Sequence, residues 1–163
     1  MSDRPADLPP GNPASHESRL DPTIWDPEVE TLDEAECRQL VSPGGVGRLA
    51  YSSRLGEVVV PVRYKLDEGR IVFRALLGSI TDEDLRTGIR GAEYRVGFEV
   101  DNLDRDAREG WMVLIQGDAH HMDYQDDRVS AWEPGGQQSV VGTPEHFLRI
   151  TPTSITGRRL RRG

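Results

Sequence analysis

From residue 46 onward the chain falls into short stretches where apolar residues alternate with polar or charged ones, separated by clusters of Gly, Asp, Asn and Glu. A period of two is the mark of half-buried strands. "VGRLAYSS" (46–53), "EVVVPVRYKL" (57–66) and "RIVFRA" (70–75) are the first three, joined by "RLGE" and "DEG", and together they predict a hairpin meander. "YRVGFEV" (94–100) alternates again, and "WMVLIQGDAHHMDY" (111–124) is the longest run, with Gly117 predicting a bulge or bend. "HFLRITPTSITGRRL" (146–160) supplies one or two more strands. Between them, "DNLDRDAREG" (101–110) reads as a polar loop, and "QDDRVSAWEPGGQQSVVG" (125–142) holds at most one helical turn.

Two segments break the alternation. "TLDEAECRQLVSPGG" predicts a helix with Thr31 as N-cap, Glu34 completing a capping box, a stripe of Leu32, Ala35 and Leu40, and a stop at Pro43-Gly44-Gly45. A second short helix is predicted over Thr81 to Arg90, closed by Gly91. No segment repeats internally. Six or seven strands in antiparallel order with two or three short helices predict a mainly β fold, a β-barrel with helical decoration. Pro61 lies inside a strand pattern and removes a ladder donor, so it belongs at a bulge, at an edge, or where something other than a strand approaches the backbone.

Composition changes this picture mainly at the start. Residues 1–30 hold six of the eleven prolines, seven acids and two arginines without an apolar period, which predicts a disordered or loosely attached arm ahead of one domain over 31–163. There is no apolar run near the length of a membrane span and no signal-peptide pattern, so a soluble, cytoplasmic protein is expected. The single Cys37 agrees with a reducing compartment and is expected at the core or its boundary. A net charge of −8 argues against general nucleic-acid or anionic-membrane binding. The basic stretch "GRRLRRG" is read as a solvated end. Nineteen of the 20 basic residues are Arg, so an amine-based covalent mechanism is confined to Lys65 or the terminus.

Side-chain catalysis finds little support. His120 and His121 are adjacent in a strand and point to opposite faces, and no Cys, Asp or Glu stands at ligand spacing from them or from His146, so no metal site is predicted. There is no G-x-S-x-G, G-x-G-x-x-G or Walker sequence. An enzyme of this composition would take its chemistry from a cofactor.

Taken in order, "LDEAECRQLVSPGGVGRLAYSS", "EVVVPVRYKLDEGRIVFRA", "VGFEVDNLDRDAREGWMVLIQGDAH" and "HFLRITPTSITGRRL" resemble the pyridoxamine 5′-phosphate oxidase-like flavin-nucleotide-binding proteins of the actinobacterial split-barrel type. The likeness runs from about Leu32 to Leu160. It implies a six-stranded antiparallel split barrel that forms a homodimer with FMN, or the deazaflavin F420, at the subunit interface. It further implies an oxidoreductase acting on a small conjugated substrate. By position, Val60, Pro61, Val62 and Arg63 would line the flavin ring, which gives Pro61 a reason. Phe73, Arg74 and Ala75 would lead toward the ribityl chain and phosphate, Ser79 would offer a hydroxyl there, and Trp111 would approach from the partner subunit.

The stretch "FRALLGSITDEDL" departs from the relatives' pattern. They commonly carry Thr at the position of Ala75 and G-T-K where this chain has Gly78-Ser79-Ile80, so the resemblance assigns the missing phosphate-binding lysine to Ile80. Asp82, Glu83 and Asp84 follow; they suit a helix N-terminus but compete there with a phosphate. Arg63, Arg74, Arg86 and Arg90 could offset them, although Arg86 and Arg90 are expected to pair with Asp82 and neighbouring acids at i,i+4. A second reading follows: a barrel that has lost nucleotide binding and serves as a binding or structural module. Haem held by His120, His121 or His146 is a third, with precedent among split barrels at the level of fold.

Overall fold

Alternation along the predicted strands is what sets the architecture in the structure, a computed structural model that describes residues 28–86, 94–104, 109–122 and 145–161. The elements are β1 (Glu28–Leu32), α1 (Glu34–Val41), β2 (Gly45–Ser53), β3 (Gly56–Asp67), β4 (Arg70–Leu76), α2 (Ile80–Asp84), β5 (Tyr94–Asp104), β6 (Glu109–His121) and β7 (Glu145–Arg161). All pairings are antiparallel. Following the ladders gives a ring, β2–β3–β4–β7–β6–β5, closed by Arg48, Leu49 and Ala50 of β2 against Glu99, Phe98 and Gly97 of β5. This is the expected six-stranded antiparallel barrel. β1 adds a seventh strand outside it, laid along the second half of β7.

Inward residues from five strands fill the barrel: Leu49, Phe73, Phe98, Val113, Ile115, Leu148 and Ile150 are all essentially without solvent exposure. The β3–β4 turn places Glu68 and Gly69 at φ 47° and 77°, a left-handed pair suited to a two-residue hairpin. Gly117 sits where the β6–β7 register shifts, as its place in the sequence predicts. α1 buries Cys37 and Val41 against the core, and the Tyr64 hydroxyl donates to the Val41 carbonyl at 2.9 Å. Burial pushes the Tyr64 pKa up to about 12, so the phenol stays a donor at neutral pH.

Several boundaries differ from expectation for identifiable reasons. The N-cap of α1 is Asp33, not Thr31: its carboxylate accepts from the Glu36 N–H at 2.8 Å, while Glu36 accepts from the Asp33 N–H at 3.3 Å. Thr31 and Leu32 belong instead to β1, where Leu32 is buried and Thr31 pairs with Arg158. Asp33→Ala should therefore cost about 1 kcal/mol of stability and Thr31→Ala under about 0.5 kcal/mol, as read from denaturation midpoints. The part of "DNLDRDAREG" that the structure describes is strand, because Asp101 to Asp104 and Glu109 to Trp111 pair as the end of the β5–β6 hairpin. The basic end is not simply solvated: Arg161 donates to Glu30 at 2.6 Å, and Arg159 lies 3.5 Å from Glu30 and 3.6 Å from Glu36. Residues 28–30, the last of the predicted arm, are strand and pair with Arg161 to Arg159. The second helix runs Ile80–Asp84 with Leu85 as its C-cap, so it stops short of the predicted Arg90. Residues 1–27, 87–91 and 125–142 lie outside the described residues.

Candidate functional site

β3 and β4 pair only from Tyr64 with Phe73 to Asp67 with Arg70. Beyond that point their ladder stops. Residues 56–63 of β3 pair with β2 alone, and residues 74–76 of β4 pair with β7 alone. Among the described strands nothing pairs with these two stretches across the gap, so they border a break in the barrel wall, and Pro61 lies on one side of it. A residue without an N–H costs nothing on an unpaired edge, which is the edge option its sequence position allows.

The structure distributes the residues singled out in the sequence as follows. Val60 and Val62 are half-buried and pack against the core, while Pro61 and Arg63 point to the opposite face and are exposed. Arg74 is half-buried and Ala75 buried on the facing strand, so 60–63 and 74–75 form the two lips of the break. Phe73 is fully buried, paired with Tyr64 and Leu148, and its side chain is part of the core. Trp111, half-buried on β6 between Asn102 and Arg159, lies across the ring from β3 and does not join Pro61 within one chain.

Ser79 caps α2, its hydroxyl accepting from the Asp82 N–H at 3.2 Å. That cap turns Asp82 inward. The Asp82 carboxylate is wholly buried, and its Oδ2 accepts from the Gly78 N–H and from Arg86 Nη2, each at 2.9 Å. Its Oδ1 lies 2.8 Å from His121 Nε2 and 2.9 Å from His146 Nδ1. The two imidazoles meet edge to face, 5.6 Å between centroids and 88° between planes. Burial pushes the Asp82 pKa up, but the Gly78 N–H, His146, His121 and Arg86 together outweigh it and hold the carboxyl well below the usual carboxylate range. Tyr51 ties α2 to the barrel by donating to Asp84 Oδ2 at 3.2 Å.

The expected i,i+4 pair of Arg86 with Asp82 is present. The histidines are what the sequence concealed. His121 ends β6, His146 begins β7 opposite Ala75, and Asp82 lies 39 and 64 residues before them. No spacing rule connects such positions; the only available signal was an acid at the third residue of a short capped helix. His120 points to the other face, as strand alternation requires, and accepts from Arg149 Nε at 2.8 Å.

Among the described residues no helix is long and apolar enough to cross a membrane. Comparison with known proteins accounts for the rest of the architecture. An uncharacterised protein of Mycobacterium tuberculosis is 26% identical over 133 residues, covering 82% of this chain and 86% of that one. The solved structure of an FAD-binding protein from Mycobacterium smegmatis superimposes with a TM-score of 0.68 at 25% identity, covering 82% of this chain and all of that one. An FAD-binding protein from Mesorhizobium loti gives a TM-score of 0.63 at 21% identity, over 83% of this chain and 98% of that one, and so shares the fold. Residues 33–159 match the pyridoxamine 5′-phosphate oxidase family, and it is to this family of split barrels that the chain belongs.

Proposed function

We propose that the protein is a cytoplasmic homodimer that binds a flavin nucleotide, FMN or the deazaflavin F420, along the break between β3 and β4, and serves as an oxidoreductase toward a small conjugated substrate. The break itself carries this reading: a family member whose barrel wall opens at Pro61 presents a part-apolar strip that no other described strand covers. Such a strip matches a heteroaromatic ring with a polar rim. Val60 and Val62 would support the ring from the core side, Pro61 and Arg63 from the outer face, and Trp111 would come from the partner subunit. When bound, the flavin supplies hydride or electron transfer. The chain contributes position, and Arg63 adds positive charge beside the ring.

The ring end fits the residues present; the turn at Gly78-Ser79-Ile80 does not fit a phosphate. The Gly78 N–H is already given to Asp82, and Ile80, 74% exposed, offers no charge. In this reading Arg74, on the facing lip, takes the phosphate, while Arg63 stays beside the ring. Titration of the purified protein with FMN, followed by quenching of flavin fluorescence, tests it. Arg63→Ala and Arg74→Ala should each weaken binding about tenfold, the loss of one charge-assisted hydrogen bond. Ile80→Lys should change affinity less than about threefold, because the donors around it stay engaged. A gain of tenfold or more for Ile80→Lys would move the phosphate to that turn.

The same occupied turn supports the second reading, a barrel that no longer binds nucleotides and acts as a binding or structural module. A colourless preparation that takes up neither FMN, FAD nor F420 would decide in its favour.

A further inference from the structure

Asp82, His121 and His146 offer three ligand atoms, all within 4.8 Å of one another, from three separate elements. The contacts at His146 conflict. Its Nδ1 lies 2.9 Å from Asp82 Oδ1, an acceptor, and 3.1 Å from Arg86 Nη2, which can only donate. A proton on Nδ1 serves Asp82 and opposes Arg86; a lone pair does the reverse. A cation accepting from all three groups resolves that conflict. We propose that Asp82, His121 and His146 form a binding site for a divalent transition ion of the zinc class, and that the Arg86 guanidinium holds the place of that cation.

The donor set suits such an ion. Two imidazole nitrogens and one carboxylate oxygen are borderline ligands of the kind zinc and its neighbours take, whereas magnesium and calcium prefer oxygen alone. Metal–ligand bonds of about 2.0–2.2 Å put the ligand atoms of one ion about 3.0–3.5 Å apart, so Asp82 Oδ1 gives a few tenths of an ångström while the two ring nitrogens, within 4.8 Å of each other, draw together by rotation of the part-exposed imidazoles. The Gly78 N–H on Oδ2 holds the carboxylate with Oδ1 toward both rings, the outer hydrogen bond that ligating carboxylates require. Asp82 is inaccessible, but the histidine side chains keep 24% and 23% exposure, leaving a side from which water or a further ligand completes the coordination. The Arg86 side chain is 49% exposed and can swing into solvent as the ion enters. None of this requires a bound flavin.

The experiment uses the full-length, tag-free protein, treated with EDTA and dialysed. It is titrated with zinc sulfate by calorimetry and with cobalt chloride by visible absorption. One ion per chain should bind at micromolar dissociation constant or tighter. His121→Gln and His146→Gln should each weaken binding at least tenfold, His120→Gln should leave it unchanged, and Arg86→Gln should tighten it about threefold to tenfold by removing the competing charge. Far-UV circular dichroism checks that each variant is folded. The cobalt spectrum needs no substitution: intensified d–d bands of an imidazole-ligated ion support the site, and the spectrum of the aqua ion overturns it. Absent zinc binding in the unaltered protein overturns it too, even if Arg86→Gln binds. So does binding that survives both His121→Gln and His146→Gln.

Discussion

Replacing Asp82 with alanine should lower the stability of the fold by about 3–5 kcal/mol, the cost of removing one member of a buried charged network and stranding the others. The Gly78 N–H, His121, His146 and Arg86 all converge on its carboxylate, which has no solvent exposure to soften the loss. Against a typical total of about 5–15 kcal/mol, such a variant would be marginal or unfolded. Asp82→Asn keeps the shape and an acceptor for Gly78 but loses the charge, so about half the cost is expected. Acid provides a second reading of the same effect. The folded-state pKa of Asp82 is depressed, so its stabilising contribution is present above the unfolded-chain pKa, near 4, and is lost as pH falls toward the folded value. The gap in denaturation midpoint between the native protein and Asp82→Asn should be full at neutral pH and narrow below about pH 4. A gap that is independent of pH would assign the loss to packing instead of charge.

The barrel interior should give an effect of similar size at Phe98, which is fully buried. Its ring packs edge to face on Tyr64 at 5.1 Å between centroids. Phe98→Ala should cost about 3–5 kcal/mol, transfer and cavity together. The same ring fixes its neighbour on β2. A Cβ at Gly47 would stand 2.6 Å from Phe98 Cε1, far inside van der Waals contact, and 3.0 Å from the Glu99 carbonyl oxygen. Gly47→Ala should therefore cost about 2–3 kcal/mol by overpacking. The two losses should not add. With Phe98 truncated the extra methyl enters the vacated space, so the double variant should be more stable than the sum predicts by about 1 kcal/mol or more. Urea denaturation of the four proteins measures the coupling directly; simple additivity would show that Gly47 is needed for some reason other than the ring.

Much of the barrel was legible because strand alternation and turn chemistry are local. The three strands of the meander and the bulge at Gly117 follow from patterns within a dozen residues, and Pro61 lies at an edge of the β3–β4 ladder, one of the three settings its sequence leaves open. Errors arose where two local rules competed. Thr31-x-x-Glu34 and Asp33-x-x-Glu36 are both capping boxes on paper, and only the pairing of Thr31 with Arg158, far along the chain, decides between them. The end of the β5–β6 hairpin looked like a loop because Asn102, Leu103 and Asp104 extend beyond the core and are exposed, so no apolar face marks them. The resemblance to a family marked both lips of the break, but it also enlisted Phe73, whose side chain the core has claimed. The Asp82 cluster was illegible for a deeper reason. Its geometry is set by where β6 stops and β7 starts on either side of a long connection, and that is information no single segment carries.

β7 pairs with β4, β6 and β1, so it is the seam on which three other strands depend. The β2–β3–β4 meander and the β5–β6 hairpin form from neighbouring strands and are joined by the β2–β5 ladder, but the cylinder stays open until residues 145–161 have emerged. During synthesis, at about 5–20 residues per second, the β4 and β6 edges wait seconds for their shared partner. Closure then joins positions as distant as Glu28 and Arg161, the kind of contact that makes folding slow. The vulnerable period of this molecule is thus the interval before the seam closes, when two edges of an almost complete barrel stand available to a neighbouring nascent chain.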